Sequence, residues 1–451
     1  MDFSNKKVLV YGMGISGKGL ARLLHKASVE MVLCDDNEKL DKKALLDELG
    51  FDSDIEVLTG GFTEKDLEKT DILAISPGIS VNAPCVRMAR DKGIPVLGEL
   101  EIAYELSRGR LFAITGTNGK TTTTALTGEI MKAYFNDVFV VGNIGISYAS
   151  VALDTTPDSV TVAEVSSFQL ETIKDFHPEI SAVLNITPDH LDRHGTFENY
   201  AKCKMDIAAN QTADEKCVIN YDDEYLRKLS SGITPEPFYF SRLEKLDKGI
   251  FLDGETIVYC SGETTMPVIN VNDMNLLGNH NIENVMAAAA VSISAGVPID
   301  VIRRVIKEFK AVEHRIEFVR EVNGVSYYND SKGTNTDAAS KAVDAMKRPI
   351  VLIAGGYDKG ADFTDWIKGF GTKVRAMVLI GKTAGKIAST AKECGFAPVY
   401  IEGTLEPAVK KAASLAENGD CVLLSPACAS WDQFSSYEQR GKIFKEIVNG
   451  L

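Results

Sequence analysis

Short apolar runs alternate along this chain with stretches of helical period, and a glycine turn stands at many of the junctions. Lys7–Tyr11 reads as a buried strand, Gly12-Met13-Gly14-Ile15-Ser16-Gly17 as a turn and Lys18–Lys26 as a helix; a second strand, MVLCDD, ends at Asp35 and Asp36. The alternation goes on through a helix at Lys42–Leu49, a strand at Ile55–Leu58, a helix at Lys65–Lys69 and a strand at Ile72–Ser76, closed by Ser76-Pro77-Gly78. It resumes at Leu111–Thr115, where a strand, a glycine turn over Gly116–Gly119 and a helix opening at Lys120 follow one another, and further strands are expected at Val138–Val141, Val160–Val165 and Ser181–Asn185. A last series has strands at Val325–Asn329, Ile350–Ala354, Ala376–Ile380, Pro398–Ile401 and Cys421–Leu424 with helices between. Strands alternating with helices predict an α/β protein.

At 451 residues the chain is too long for one core. The segmentation predicts domains over 1–98, 99–311 and 312–451. Hydrophobic content of 45% and charged content of 25% are those of a soluble globular protein. The net charge of −14 argues against broad contact with nucleic acid or anionic membrane, yet leaves room for small anionic ligands held by a few local cations. MDFSNKKVLVYG runs straight into a strand, so no signal peptide is expected. The apolar run Val285–Val297 is too short and too rich in Ala and Ser to cross a bilayer, so no membrane insertion is expected. The eight cysteines show no CxxC spacing and read as reduced thiols of a cytoplasmic protein. A monomer is expected.

Two glycine turns carry candidate chemistry. Gly12, Gly14 and Gly17 make a G-x-G-x-x-G turn with acidic residues roughly 20 positions on, which marks a Rossmann-like domain. A pyrophosphate at Gly14–Gly17 with a second group near Asp35, Asp36 and Gly78 suits UDP as well as NAD, and spacing does not choose between them. The second turn, LFAITGTNGKTTTT over Leu111–Thr124, has the build of a phosphate-binding loop. Its glycines admit phosphate oxygens, and the helix start aims N–H groups at them. Lys120 would pair with the β- and γ-phosphates and a threonine hydroxyl would sit on Mg²⁺. The generic pattern would need glycine where Ile114 stands, so this is a shorter variant in a central ATPase-like domain.

Other polar clusters follow strands. Gly142-Asn143, Glu164 with Ser166-Ser167-Phe168-Gln169, and Thr187–His194 are each expected to gather at one sheet edge near Lys120. A carboxylate and an imidazole beside a triphosphate suggest Mg²⁺ ligands. His177, before Pro178 in a turn, reads as structural. Asn281 and Asn284 lie three apart and face one side of a helix start, as caps or as ligand contacts. Arg315, Lys332 and Lys359 are cations near loops of the C-terminal, Rossmann-like α/β segment.

The order TGTNGKTTT, GNIG, EVSSFQL, NITPDHLDRH, GNHNIEN, NDSKGTN, GGYDKGADF resembles the Mur ligases and their folylpolyglutamate synthase relatives, from Lys6 to about Lys445. The resemblance implies a three-domain ligase using ATP and two Mg²⁺. It implies UDP-substrate contacts at Ile15, Ser16, Asp35, Asp36, Gly78, Asn143 and Ser166. ATP contacts would come from Gly116, Thr117, Asn118, Gly119, Lys120, Thr121, Thr122, Thr123, Asn281, Asn284, Arg315 and Asp330. Metal ligands would be Thr121, Glu164, His190 and Lys204, the last a carbamylated lysine in that family, and Lys120, His190 and Lys204 would be catalytic. Amino-acid contacts would be Lys332, Thr334, Lys359, Ser430 and Tyr437. The string SPACAS-DQF-YEQRG is similar to the D-glutamate-adding branch, which implies D-glutamate joined to UDP-N-acetylmuramoyl-L-alanine through an acyl phosphate, in peptidoglycan synthesis. The alanine-adding branch usually has His in place of Asn118, and the DNPR-like motif of the diaminopimelate-adding branch is not found. Trp431 stands where a smaller apolar residue is expected. Three alternatives stay open: another ligase of the same family, an NAD-dependent oxidoreductase built on GMGISG, and a non-catalytic nucleotide-binding protein. The oxidoreductase leaves Leu111–Thr124 unexplained. The non-catalytic protein should have lost ligand residues that this chain retains.

Overall fold

The structure, a computed structural model, describes residues 3–142, 146–358 and 360–451. It is a three-domain α/β protein whose strands form three sheets. The first contains β1 (Lys7–Tyr11), β2 (Glu30–Asp35), β3 (Val57–Thr59), β4 (Ile72–Ile75) and β5 (Val96–Gly98), in the order β3-β2-β1-β4-β5 and parallel throughout. Its central strands are continuous apolar runs because helices cover both faces: Val8, Leu9 and Val10 are at most 1% exposed.

The second sheet contains β6 (Arg110–Thr115), β7 (Val138–Gly142), β8 (Val160–Glu164), β9 (Ile180–Val183), β10 (Lys216–Asn220), β11 (Glu236–Ser241), β12 (Gly249–Asp253), β13 (Thr256–Cys260) and β14 (Thr265–Asn270). The order is β14-β13-β12-β11-β10-β9-β6-β8-β7, and only β12 to β14 pair antiparallel. The third contains β15 (Glu317–Val322), β16 (Val325–Asn329), β17 (Ile350–Gly355), β18 (Val374–Ile380), β19 (Val399–Ile401) and β20 (Cys421–Leu424), ordered β15-β16-β20-β17-β18-β19.

Packing divides the chain into two compact units. One holds the residues up to Asn270 with Glu283–Ile306, the other Val271–Ile282 with Lys307–Leu451. Within the first unit one apolar core serves both sheets. It joins Val8 and Val10 of β1 to Ala113 and Ala163 of the second sheet through Leu20, Leu24, Leu100 and Tyr148. In the second unit β17 and β20 are buried on both faces, between one cluster around Leu352, Phe363 and Trp366 and another around Ile353, Val409 and Phe444.

Each sheet has a strand from which the chain winds outward in both directions. β1 lies between β2 and β4, β6 between β8 and β9, and β17 between β18 and β20. The crevice at the carboxyl end of such a strand is where ligands enter doubly wound sheets. The helix after β1 starts at Ile15, three residues ahead of the expected Lys18, because Gly17 brings it hard against the turn: a Cβ there would lie 1.8 Å from the Gly12 carbonyl oxygen. Among the described residues no helix is long and apolar enough to cross a membrane.

Candidate functional site

The carboxyl end of β6 opens into the loop Gly116–Gly119, with φ of 152° at Gly116 and 91° at Gly119. Both values are costly for a residue with a side chain. A Cβ on Gly119 would also lie 2.3 Å from Asn284 Oδ1. The residues just beyond β9 brace the loop. Asn185 accepts the Asn118 N–H at Oδ1 (2.8 Å) and donates from Nδ2 to the Asn118 carbonyl (3.0 Å), while its own carbonyl accepts the Thr117 N–H (2.9 Å). The Thr117 hydroxyl accepts the Thr187 N–H at 3.0 Å and lies 3.1 Å from the Tyr200 hydroxyl. The helix Lys120–Lys132 begins on Gly119, which has no side chain to cap the first turn. A helix N-terminus over glycines suits phosphate oxygens.

Two ammonium groups converge on this loop. Lys120 Nζ donates to the Gly116 and Thr117 carbonyls at 2.8 and 2.9 Å. Lys204, on the helix Phe197–Met205 and 1% exposed, donates to the same Gly116 oxygen at 2.9 Å. Its ammonium lies 4.8 Å from the Tyr200 ring centroid. Burial, and then the charge of Lys120, hold the Lys204 pKa well below the usual lysine range, with Asp189 and Glu164 opposing. Glu164, at the end of β8, is 3% exposed. Thr122, in the first turn after the loop, has a buried hydroxyl with no hydrogen-bond partner.

His190 adopts φ 51°, a conformation uncommon outside glycine. Its ring meets Phe168 edge-on at 4.8 Å, and Nε2 lies 3.6 Å from the Asp189 carboxylate. Ser166 caps the short helix Ser167–Leu170 in a reciprocal pair with Gln169. Thr121, Glu164 and His190 carry hydroxyl, carboxylate and imidazole groups of the kinds that can ligate Mg²⁺. Asn284 meets the loop at Thr123 Oγ1, 3.4 Å away. Asn281 belongs to the second unit, where its Nδ2 donates to the Leu277 carbonyl at 2.7 Å.

On the first sheet, Ile15 is 91% exposed at the helix start above the glycine turn, with Ser16 beside it. The Asp35 carboxylate accepts the Met13 and Asn37 N–H groups at 2.7 and 2.9 Å, and Asp36 accepts the Tyr11 hydroxyl at 2.7 Å. Both carboxylates therefore shape the turn from within. Gly78 is exposed on the loop after β4. Asn143 and Lys359 lie outside the described residues.

In the second unit Asp330 follows β16 and is fully enclosed. Its Oδ2 accepts the Ser425 hydroxyl at 2.7 Å and its Oδ1 the Ile316 N–H at 3.3 Å. Burial raises its pKa to about 6 against the opposing charge of Arg315. The Nε of Arg315 is itself buried without a hydrogen-bond partner. Lys332 Nζ lies 5.7 Å from the Tyr437 ring centroid, Ser430 is 2% exposed, and Thr334 follows on the same turn. Trp431, 63% exposed, packs against Tyr357 at 5.8 Å. Arg440 was not anticipated. It is 1% exposed and donates to the Ser331 carbonyl and hydroxyl (2.8 and 3.0 Å) and the Cys428 carbonyl (3.2 Å), tying the Asp330 turn to the loop after β20. Burial lowers its pKa to about 10. Asn185 was missed as well, although its place right after a strand was a signal.

Family models match nearly the whole chain: a Mur ligase MurD-like N-terminal domain over 6–98, a Mur ligase middle domain over 114–292 and a Mur ligase glutamate ligase domain over 314–428. The UDP-N-acetylmuramoylalanine--D-glutamate ligase of Lachnospira eligens is 52% identical over the full length of both chains. The enzyme of that name from Clostridioides difficile is 42% identical, again with full coverage of both. Among solved structures, the UDP-N-acetylmuramate-alanine ligase MurC of Thermotoga maritima shares the fold, with a TM-score of 0.62, 18% identity, and 99% of this chain and 100% of that one covered. With family models over most of its length and full-length relatives above 40% identity, the chain belongs to the Mur ligase family.

Proposed function

We propose that the protein is an ATP-dependent ligase that joins D-glutamate to UDP-N-acetylmuramoyl-L-alanine, a step in making the peptidoglycan precursor. Full-length relatives carry this activity in their names. The geometric observation that carries the reading is the shared Gly116 oxygen, with Lys120 and Lys204 2.8 and 2.9 Å away on either side of the phosphate loop. It sets two lysine amines, one of them buried with its pKa held well below the usual lysine range, at one glycine loop.

A carboxylate is a poor electrophile, so it must be activated. The alanyl carboxylate attacks the γ-phosphorus of ATP, the bond to the leaving ADP breaks, and an acyl phosphate forms. The amine of D-glutamate then attacks the acyl carbon, losing a proton as the amide forms and phosphate departs. Residues do this mainly by positioning and by charge stabilisation. Lys120 exchanges its loop carbonyls for the phosphoryl oxygens. The N–H groups at Gly119–Thr122 hold the phosphate chain, and Asn284 fixes the loop's approach. Two Mg²⁺ ions belong to this reading: Thr121, Glu164, His190 and carbamylated Lys204 would hold them, and they would neutralise phosphate charge. Asn281, Arg315 and Asp330 contribute further ATP contacts. Ile15, Ser16, Asp35, Asp36, Gly78, Asn143 and Ser166 receive the UDP substrate, and Lys332, Thr334, Lys359, Ser430 and Tyr437 the amino acid. In this reading 1–98 serves the UDP substrate, 99–311 ATP and 312–451 the amino acid. The protein works as a cytoplasmic monomer, where ATP and UDP-sugars are held.

The test is phosphate release from ATP with UDP-N-acetylmuramoyl-L-alanine and a panel of amino acids. Turnover with D-glutamate alone is expected. Turnover with L-alanine or diaminopimelate in its place would overturn the assignment.

A further inference from the structure

Arg193 has no part in the chemistry above, yet its guanidinium hydrogen-bonds three carbonyls of the loop after β4 and the Glu171 carboxylate. We propose that Arg193 is a positioning residue that holds the loop Pro77–Ile79 in its UDP-binding conformation from the His190 side. The proposal rests on the reading of Gly78 and the Gly12–Gly17 turn as UDP-substrate contacts.

One edge of the guanidinium faces the loop. Nη2 donates to the Ile79 and Pro77 carbonyls at 2.7 and 3.3 Å, and Nη1 to the Gly78 carbonyl at 3.3 Å. The other edge is fixed by Glu171: Nε reaches its two oxygens at 3.3 and 3.1 Å, and Nη2 reaches Oε2 at 2.6 Å. The Arg193 plane also lies 4.9 Å from the Phe168 ring centroid, and Phe168 is the ring against His190. Side-chain exposure is 13% for Arg193 and 10% for Glu171, so the pair is largely shielded and weakly screened. Glu171 is steadied in turn by His194, whose Nδ1 is 3.5 Å away and whose Nε2 lies 3.0 Å from the Ser167 hydroxyl.

The far side of the loop rests on the glycine turn. The Ser76 hydroxyl donates to the Gly12 carbonyl at 2.6 Å, and Ile79 packs so closely on Gly12 that a Cβ there would lie 3.2 Å from its side chain. A line of direct contacts therefore runs from Phe168 and His190, through Arg193, to the loop carbonyls and the GMGISG turn. Three successive carbonyls turned toward one side chain need a planar fork of several donors. A lysine, with a single point charge, would satisfy them poorly.

The test uses the full chain with Arg193→Ala, Arg193→Lys and the near-isosteric Glu171→Gln, which retains the fold most safely. Binding of UDP-N-acetylmuramoyl-L-alanine is measured by calorimetry without ATP, and KM is measured for each substrate. The expected result is UDP-substrate affinity weakened about tenfold or more in both arginine variants and less in Glu171→Gln, with KM for ATP within about twofold. A role confined to joining the two sheets would instead lower the thermal midpoint and leave UDP-substrate affinity unchanged; that result overturns the proposal, as does an equal rise in both KM values. Ile15→Asp separates the two readings, since Ile15 is 91% exposed and its replacement spares the core. If Ile15→Asp weakens UDP binding and Arg193→Ala does not, the inference alone falls. If neither does, the UDP site is elsewhere and both fall.

Discussion

At Lys204, burial and the neighbouring Lys120 charge act in one direction, both favouring the neutral amine. A neutral amine can add CO₂: a C–N bond forms, the nitrogen gives up a proton, and the product is an anionic oxygen donor. Lys204→Ala is therefore expected to lose on the order of 10²-fold or more of its turnover, as removal of an electrostatic group at a reacting centre does. Acetate should restore part of it, and a variant that keeps most of its activity without acetate would make the lysine a bystander. At Asp330 burial likewise favours the neutral form, which for an acid means a raised pKa. Its pKa is raised to about 6, so the folded protein binds a proton more tightly than the unfolded chain does. Stability from this group is present below the ordinary carboxylate value of about 3.9 and is lost as pH rises through the folded value, a cost on the order of 3 kcal/mol at neutral pH. Asp330→Asn should accordingly melt higher than wild type at about pH 7.5, with the difference shrinking toward about pH 4, while activity falls. A constant difference across that range would mean the carboxyl is not strained by burial.

At the scale of elements, what could be read from sequence was what repeats locally. β1 and β20 fall where continuous apolar runs place them, because parallel strands covered on both faces need nothing else. The strand, glycine turn and helix over 111–132 were legible for a similar reason: the glycines and lysine are neighbours in sequence. β10 to β14 were not, since they carry no ligand motif, although Asp253-Gly254 between β12 and β13 is a hairpin signal. Arg440 on Ser331 and Arg193 on Glu171 were out of reach, because each pairs residues 109 or 22 positions apart and depends on the packed fold. The phosphate loop itself makes a sharp prediction. Gly119→Ala combines a φ of 91° with a Cβ 2.3 Å from Asn284 Oδ1, so loop and helix start must shift together. The expected cost is about 1–3 kcal/mol of stability, with ATP affinity lost and UDP-substrate binding largely kept. Unaltered ATP affinity would show that the loop does not hold the nucleotide.

The whole molecule has two packing units, and their cores answer to different residues. The first shares one apolar core between two sheets, so the elements of both sheets should melt together. The second has its own clusters on either side of β17 and β20. Scanning calorimetry should then resolve two transitions. Ile353, fully buried in the second unit, offers a small probe: Ile353→Val removes one methylene and should cost about 0.5–1.5 kcal/mol. For a unit of this size that lowers one transition by about 2–4 °C per kcal/mol and leaves the other in place. UDP-N-acetylmuramoyl-L-alanine at about 100 times its Kd should raise the other transition, through about 2.7 kcal/mol of linkage. A single transition moved by both the substitution and the ligand would mean that the chain unfolds as one cooperative body and that the two cores are energetically joined.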